Sequence, residues 1–90
     1  MTHARARTAE IRPDRELNCR GMRCPLPVIY ARKTLALMDR GEVLRVVATD
    51  PGSALDIVEF SRQNHIELVT QSEAGGDWVF LLRKRDAAGG

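Results

Sequence analysis

The chain is poor in aromatic residues and in uncompensated charge. Of its 90 residues 4% are aromatic, and 14 Lys and Arg stand against 12 Asp and Glu, for a formal net charge of +2. A positive balance this small and dispersed, with few rings on which bases could stack, argues against nucleic acid as the obligatory partner. We therefore expect no direct binding of nucleic acid.

Long apolar runs and abundant cysteine are also missing. The longest strongly apolar run, residues 78–82, is far shorter than the roughly 20 residues that span a bilayer, so we expect no membrane insertion. The opening residues lack the apolar core of a signal peptide. Only Cys19 and Cys24 are present, and a small secreted disulfide scaffold usually carries more cysteines. These features predict a cytoplasmic protein.

The composition of the chain is that of one small globular domain. The chain is 43% hydrophobic and 29% charged, which is typical of a globular protein. Residues 1–14 are polar and Arg-rich without hydrophobic periodicity, and residues 86–90 are Asp-Ala-Ala-Gly-Gly. We expect both to be disordered tails around a domain at 15–85. Because so small a domain has little room for an enclosed pocket, its chemistry is expected at the surface.

The first half of the chain predicts a strand, a helix and a second strand. A short strand is expected near residues 15–19. Apolar residues then recur at helical spacing from Pro25 to Met38, and Gly41 suits the left-handed conformation at the end of that helix. The β-branched run at 42–49 is typical of a central strand.

The second half predicts a helix and a hairpin. Asp-Pro-Gly at 50–52 indicates a turn, Ser53 with Asp56 indicates a capping box, and the helix should end at Asn64 or His65. Two β-rich runs follow, separated by Ala-Gly-Gly-Asp. The order βαβαββ predicts an α+β fold, a two-layer α/β sandwich with two helices on one face of a four-stranded mixed sheet.

The stretch Arg-Cys-Pro-Leu-Pro at 23–27 is the candidate for chemistry. A residue before proline favours the extended backbone of an N-cap, so we predict Cys24 as the N-cap, with Pro25 and Pro27 in the first turn. The helix dipole, aided by Arg20 and Arg23, should then lower the pKa of the Cys24 thiol and leave a reactive, solvent-facing sulfur. The alternative is that Cys24 is a small buried hydrophobic residue.

The other candidates have simpler interpretations. Cys19 falls on the apolar face of the first strand and is expected in the core, with a resolving thiol as its alternative role. Only His3 and His65 could complete a zinc site with the cysteines, so we expect neither a metal nor another cofactor.

A family resemblance follows from these residues. Leu-Asn-Cys-Arg-Gly-Met-Arg-Cys-Pro-Leu-Pro at 17–27, Arg-Lys at 32–33, Gly-Glu at 41–42 and Asp-Pro at 50–51 together resemble the TusA/SirA family of small bacterial sulfur-carrier proteins. The resemblance implies the same βαβαββ sandwich and a cysteine that carries sulfur as a persulfide, which maps onto Cys24. It also implies a cysteine desulfurase or other persulfide donor and a downstream acceptor protein.

The resemblance leaves the pathway open. The best-known members serve 2-thiolation of the tRNA wobble uridine, and relatives serve sulfur oxidation, molybdenum cofactor or selenium metabolism. The tRNA-thiolation members look like Cys-Pro-Glu-Pro, whereas this chain has Leu26 in the variable place. That difference weakens an assignment to tRNA thiolation.

The leading hypothesis is a sulfurtransferase-like carrier rather than a self-contained enzyme. Cys24 would accept sulfane sulfur as a persulfide and pass it to an acceptor protein, with Arg20, Met22, Arg23 and Leu26 as the docking residues. One alternative is a non-catalytic interaction or regulatory module. Another is a redox switch between Cys19 and Cys24.

Overall fold

The fold is a two-layer sandwich of four strands and two helices in a computed structural model that describes residues 11–85. The sheet order is β1-β2-β4-β3; β1 is parallel to β2, and the other neighbours are antiparallel. The sequence-based prediction of a βαβαββ sandwich with a mixed sheet is therefore confirmed. The elements are β1 (Arg15–Cys19), α1 (Leu26–Ala36), β2 (Val43–Ala48), α2 (Pro51–Gln63), β3 (Ile66–Ala74) and β4 (Asp77–Lys84).

The core lies between the helices and one face of the sheet. Alternate residues of β2 and β4 point to this face, as the period of two in a strand requires. They form one buried cluster with residues from both helices. Its members include Leu44, Val46, Ala48, Phe80 and Leu82 from the sheet, and Ala31, Leu35, Ala54, Ile57 and Phe60 from the helices.

The parallel pairing of β1 with β2 determines where the two helices begin. Cys19, the last residue of β1, lies beside Ala48, the last residue of β2. Each strand is followed by a helix, so both helices begin at the same edge of the sheet. The N–H of Gly21 donates to Thr49 Oγ1 at 2.9 Å and joins the two connections. Residues far apart in sequence therefore meet at this edge.

Two helix boundaries differ from the prediction. Helix α1 ends at Ala36, and Gly41, at φ +87°, instead serves the turn into β2, where its N–H donates to Lys84 O at 2.7 Å. Helix α2 begins at Pro51, with Asp50 as its N-cap in place of the predicted Ser53. Asp50 takes this role because its carboxylate accepts from Ser53 N at 3.0 Å.

The ends of the chain are described only in part. Asp14 N donates to Val43 O at 2.8 Å, and Val43 N donates to Asp14 Oδ2 at 2.8 Å. Residues 1–10 and 86–90 lie outside the described residues, so the division into a domain at 15–85 and two disordered tails stays a prediction. Neither α1 nor α2, the two helices among residues 11–85, has the length and apolar character of a membrane span.

Candidate functional site

Cys24 lies exposed in the turn between β1 and α1. The turn is held by backbone hydrogen bonds from Met22 N to Cys19 O at 3.1 Å and from Leu26 N to Arg23 O at 2.8 Å. The Cys24–Pro25 peptide bond is cis. The alternative of a buried Cys24 is therefore wrong, and the predicted solvent-facing sulfur is confirmed.

Helix α1 begins one residue later than predicted relative to Cys24. Ile29 N donates to Pro25 O at 3.2 Å, which is the first bond of the helical ladder. Pro25 is therefore the N-cap and Pro27 the second helical residue, while Cys24 precedes the cap. The prediction that Cys24 is the N-cap is wrong, although both prolines do lie at the helix start.

The Cys24 thiol is hydrogen-bonded to a carboxylate of the other helix. Its Sγ donates to Asp56 Oδ2 at 2.6 Å, across 32 residues of sequence. This hydrogen bond raises the pKa of Cys24 above the ordinary thiol value, with further contributions from partial desolvation and from the negative charges of Asp56 and Asp50. The predicted lowering of the Cys24 pKa is therefore wrong in direction, because the thiol is hydrogen-bonded to a carboxylate.

Asp50 holds the other side of the same turn. Its Oδ2 accepts from Cys24 N at 3.3 Å, from Ser53 N at 3.0 Å and from Ser53 Oγ at 3.2 Å. One carboxylate oxygen therefore caps α2 and also binds the backbone of the residue that carries the thiol. The position of Cys24 relative to α2 depends on this residue.

Gly52 allows the two segments to approach closely. A Cβ placed on Gly52 would lie 3.2 Å from Asp50 Oδ2, 3.6 Å from Cys24 Cβ and 3.9 Å from Cys24 Sγ. A side chain at position 52 would therefore enter the space beside the thiol.

Neither acidic partner of Cys24 was assigned to the site from the sequence. In the sequence, Asp50 indicates a turn and Asp56 a helix start, and no carboxylate occurs between Glu16 and Asp39. The parallel order of β1 and β2 was the available signal, since it brings the starts of both helices to one edge of the sheet.

The residues predicted for docking occupy different environments. Arg20 forms an ion pair with Asp77 at 2.9 Å, and Met22 packs against the core cluster. Arg23 and Leu26 are exposed on either side of Cys24 and Pro25, and Leu26 keeps 42% of its surface accessible. The docking role of all four stays a prediction.

Cys19 is a core residue. It is fully buried in the cluster, which confirms its predicted place, and burial raises the pKa of its thiol. Within residues 11–85, no three His, Cys, Asp or Glu side chains are grouped so that they could hold a metal ion. His65 lies just after α2 at φ +57°, and His3 lies outside the described residues.

Comparisons with known proteins agree with this fold. Residues 15–84 match the family model described as Sulfurtransferase TusA. The chain is 48% identical over 71 residues to a protein of Allochromatium vinosum named Sulfur carrier protein TusA, an alignment that covers 79% of this chain and 93% of the relative. The crystal structure of a SirA-like protein from Desulfitobacterium hafniense has the same fold, with a TM-score of 0.70 and 22% identity over 80% of this chain and 99% of that chain.

The family model covers the whole domain from β1 to β4, including the turn with Cys24 and both helix starts. The chain belongs to the TusA family.

Proposed function

We propose that the protein is a sulfur carrier in which Cys24 receives sulfane sulfur as a persulfide from a donor protein and passes it to an acceptor protein. The observation that carries the proposal is the exposure of the Cys24 sulfur in a tight turn on the surface of the domain. A persulfide there can be reached by the cysteine of another protein without any opening of the fold. The name of the A. vinosum relative supports the same role.

The transfer is a thiol–persulfide exchange. The Cys24 thiolate attacks the terminal sulfur of the donor persulfide, the S–S bond of the donor breaks, and the donor cysteine leaves as a thiolate. In the second half, a thiolate of the acceptor attacks the terminal sulfur on Cys24, and Cys24 leaves as a thiolate. Sulfur moves at the sulfane oxidation level throughout, so no external oxidant or reductant is required.

A carrier of this kind depends on its partners for specificity. The thiol lies in the open, and the exposed side chains beside it, Arg23 and Leu26, offer one charged and one apolar contact. Arg20 and Met22 complete the docking surface that we propose. A cysteine desulfurase is the donor class that the family resemblance implies, and the cytoplasm is the expected location.

The burial of Cys19 disfavours a redox switch between the two cysteines. Oxidation of a thiol follows its exposure and thiolate character, and Cys19 is fully buried with a raised pKa. Of the two cysteines, Cys24 is the exposed one.

Loading is tested by intact mass. The protein is incubated with a cysteine desulfurase and cysteine, and we expect a gain of one sulfur atom that dithiothreitol reverses. Cys24→Ser should abolish the gain, whereas the matched control Cys19→Ala should retain it. A gain that persists in Cys24→Ser, or no gain with any desulfurase or persulfide donor, would contradict the proposal.

A further inference from the structure

The hydrogen bond between Cys24 and Asp56 presents a difficulty for a sulfur carrier. Only the thiolate attacks a persulfide, yet the Sγ of Cys24 donates its proton to Asp56 Oδ2 at 2.6 Å. A neighbouring negative charge favours the neutral thiol. In the free protein, therefore, the geometry holds the sulfur in its unreactive form.

Asp56 differs from Asp50 in how its carboxylate is used. Asp50 Oδ2 accepts hydrogen bonds from the backbone of Cys24 and from Ser53 N at the start of α2. Its charge is therefore partly offset by the N-terminus of that helix. Asp56 lies further along α2, half-buried, and faces the thiol itself. Its carboxylate is the one in hydrogen-bond contact with the sulfur.

Asp56 also lines an open groove between α1 and α2. The charged side chains of this groove, besides Asp56, are Arg32 and Glu59. The guanidinium of Arg32 lies over the ring of Phe60, 5.6 Å from its centroid. A side chain from another protein can therefore reach Asp56 from the surface.

The arginines near Cys24 do not neutralise the negative charge of Asp56. Arg20 is engaged with Asp77 at 2.9 Å, and Arg23 is exposed to solvent. The hydrogen bond to Asp56, together with the charges of Asp56 and Asp50, raises the pKa of Cys24. Within residues 11–85, Arg20 pairs with Asp77 and Arg32 lies over Phe60, so the positive charge that we consider for Asp56 is a basic side chain of a partner.

We propose that Asp56 keeps unloaded Cys24 as a thiol and that a partner protein releases the thiolate by placing a basic side chain against Asp56. The inference rests on the proposed function, which requires Cys24 to attack a donor. It identifies the partner by its chemistry, as a protein with a Lys or Arg beside its own reactive sulfur. Asp56 acts through Cys24 and is thus a positioning residue.

The atoms and electrons of the activated step balance. When the basic side chain pairs with Asp56, the S–H bond of Cys24 breaks, its electron pair stays on sulfur, and the proton passes to water. The thiolate attacks the terminal sulfur of the donor persulfide, and the donor thiolate that leaves takes up a proton. The net reaction is one thiol and one persulfide giving one persulfide and one thiol.

Small disulfides of different charge test, without a partner protein, whether a positive charge near Asp56 activates Cys24. Cystamine carries two ammonium groups, 2-hydroxyethyl disulfide is neutral, and dithiodiglycolate carries two carboxylates. The rate of mixed-disulfide formation at Cys24 is measured by mass for each reagent and divided by the rate for a neutral cysteine derivative, which removes differences among the reagents as leaving groups. We expect cystamine to be favoured over the neutral reagent by roughly five-fold at low ionic strength, as expected for one charge pair near 4 Å in water.

Substitutions at Asp56 and Glu59 show which carboxylate causes the preference for cystamine. Asp56→Asn should abolish the preference for cystamine and make the reaction with the neutral reagent faster at pH 7, whereas Asp56→Glu should retain most of the preference. Glu59→Gln is the matched control, because it removes the same charge from the same groove without touching the thiol. High salt should reduce the preference of the unmodified protein.

Two results would overturn the inference. In the first, Asp56→Asn keeps the same preference for cystamine as the unmodified protein. In the second, Glu59→Gln loses the preference as fully as Asp56→Asn, so that the general charge of the surface explains it. Neither result depends on loading by a desulfurase, so a failure of the proposed sulfur carriage is seen separately.

Discussion

The carboxylate of Asp50 binds the backbone of Cys24 and begins helix α2 with the same oxygen. Oδ2 accepts from Cys24 N at 3.3 Å and from Ser53 N at 3.0 Å. The turn that carries the thiol and the start of α2 are thereby joined through one side chain. A change at Asp50 should affect both the stability of the domain and the position of the sulfur.

Asp50→Ala is expected to destabilise the protein by about 1 kcal/mol, and by up to about 2, because it removes the N-cap of α2. Asp50→Asn is the matched control, since asparagine caps a helix about as well as aspartate. Urea unfolding followed by circular dichroism measures both. Equal stability of Asp50→Ala and the unmodified protein would contradict the capping role.

The pH dependence of Cys24 reactivity follows from its raised pKa. The thiolate fraction rises with pH through the pKa, so a raised pKa moves the midpoint of the alkylation rate upward and leaves less thiolate at pH 7. We expect iodoacetamide to alkylate Cys24 more slowly at pH 7 than it alkylates an unstructured peptide of residues 20–28. The rate is measured from about pH 6 to about pH 10 by mass spectrometry of the Cys24 peptide.

The peptide is the control for the sequence context, because it contains both arginines and both prolines but neither acidic partner. A midpoint in the folded protein below that of the peptide would show that the helix dipole prevails over Asp56 and Asp50. That outcome would restore the expectation drawn from the sequence.

Gly52→Val should hinder large reagents at Cys24. Its side chain would lie where a Cβ is already 3.2 Å from Asp50 Oδ2 and 3.9 Å from Cys24 Sγ. We expect a bulky maleimide to react more slowly with the variant, while the smaller iodoacetamide is less affected. Leu55→Val is the control on the same helix, where the side chain is 73% exposed. Equal slowing of both reagents would indicate an altered pKa in place of restricted access.

The fold could be predicted from the sequence because its signals are local. Helical spacing from Val28 to Met38, the β-branched run of β2 and the Gly75–Gly76 turn each determine an element from neighbouring residues. The identity of the exposed thiol was also available, from the prolines that follow Cys24. These features need no knowledge of distant contacts.

The electrostatics of the site could not be predicted in the same way. The pKa of Cys24 depends on Asp56 and Asp50, which lie 32 and 26 residues further along the chain. The residues near Cys24 in the sequence include two arginines and a helix start, and these predict a lowered pKa. Local charge patterns predict a pKa poorly wherever a parallel strand pair brings two helix starts together.

Cys19→Ser should reduce stability without preventing the loading of Cys24. The side chain of Cys19 is fully buried beside Ala48, so a serine hydroxyl there would lose hydration at a cost of about 1–3 kcal/mol if it found no partner. Cys19→Ala, which buries no polar group, is the control. Urea unfolding and intact mass after incubation with a desulfurase measure the two properties. Loss of loading in a folded Cys19→Ala variant would assign Cys19 a chemical role.

Docking can be separated from the chemistry of the thiol by changing the exposed residues beside it. Arg23→Glu and Leu26→Asp should each slow loading by a donor protein, on the order of ten-fold, because a like charge or an unpaired carboxylate at an interface opposes association. Alkylation by iodoacetamide, which needs no docking, should change far less than loading. Arg62→Glu, at an exposed position near the end of α2, is the matched control for charge reversal. If Arg62→Glu slowed loading as much as Arg23→Glu did, the donor would respond to the net charge of the protein. That result would contradict a docking role for Arg23.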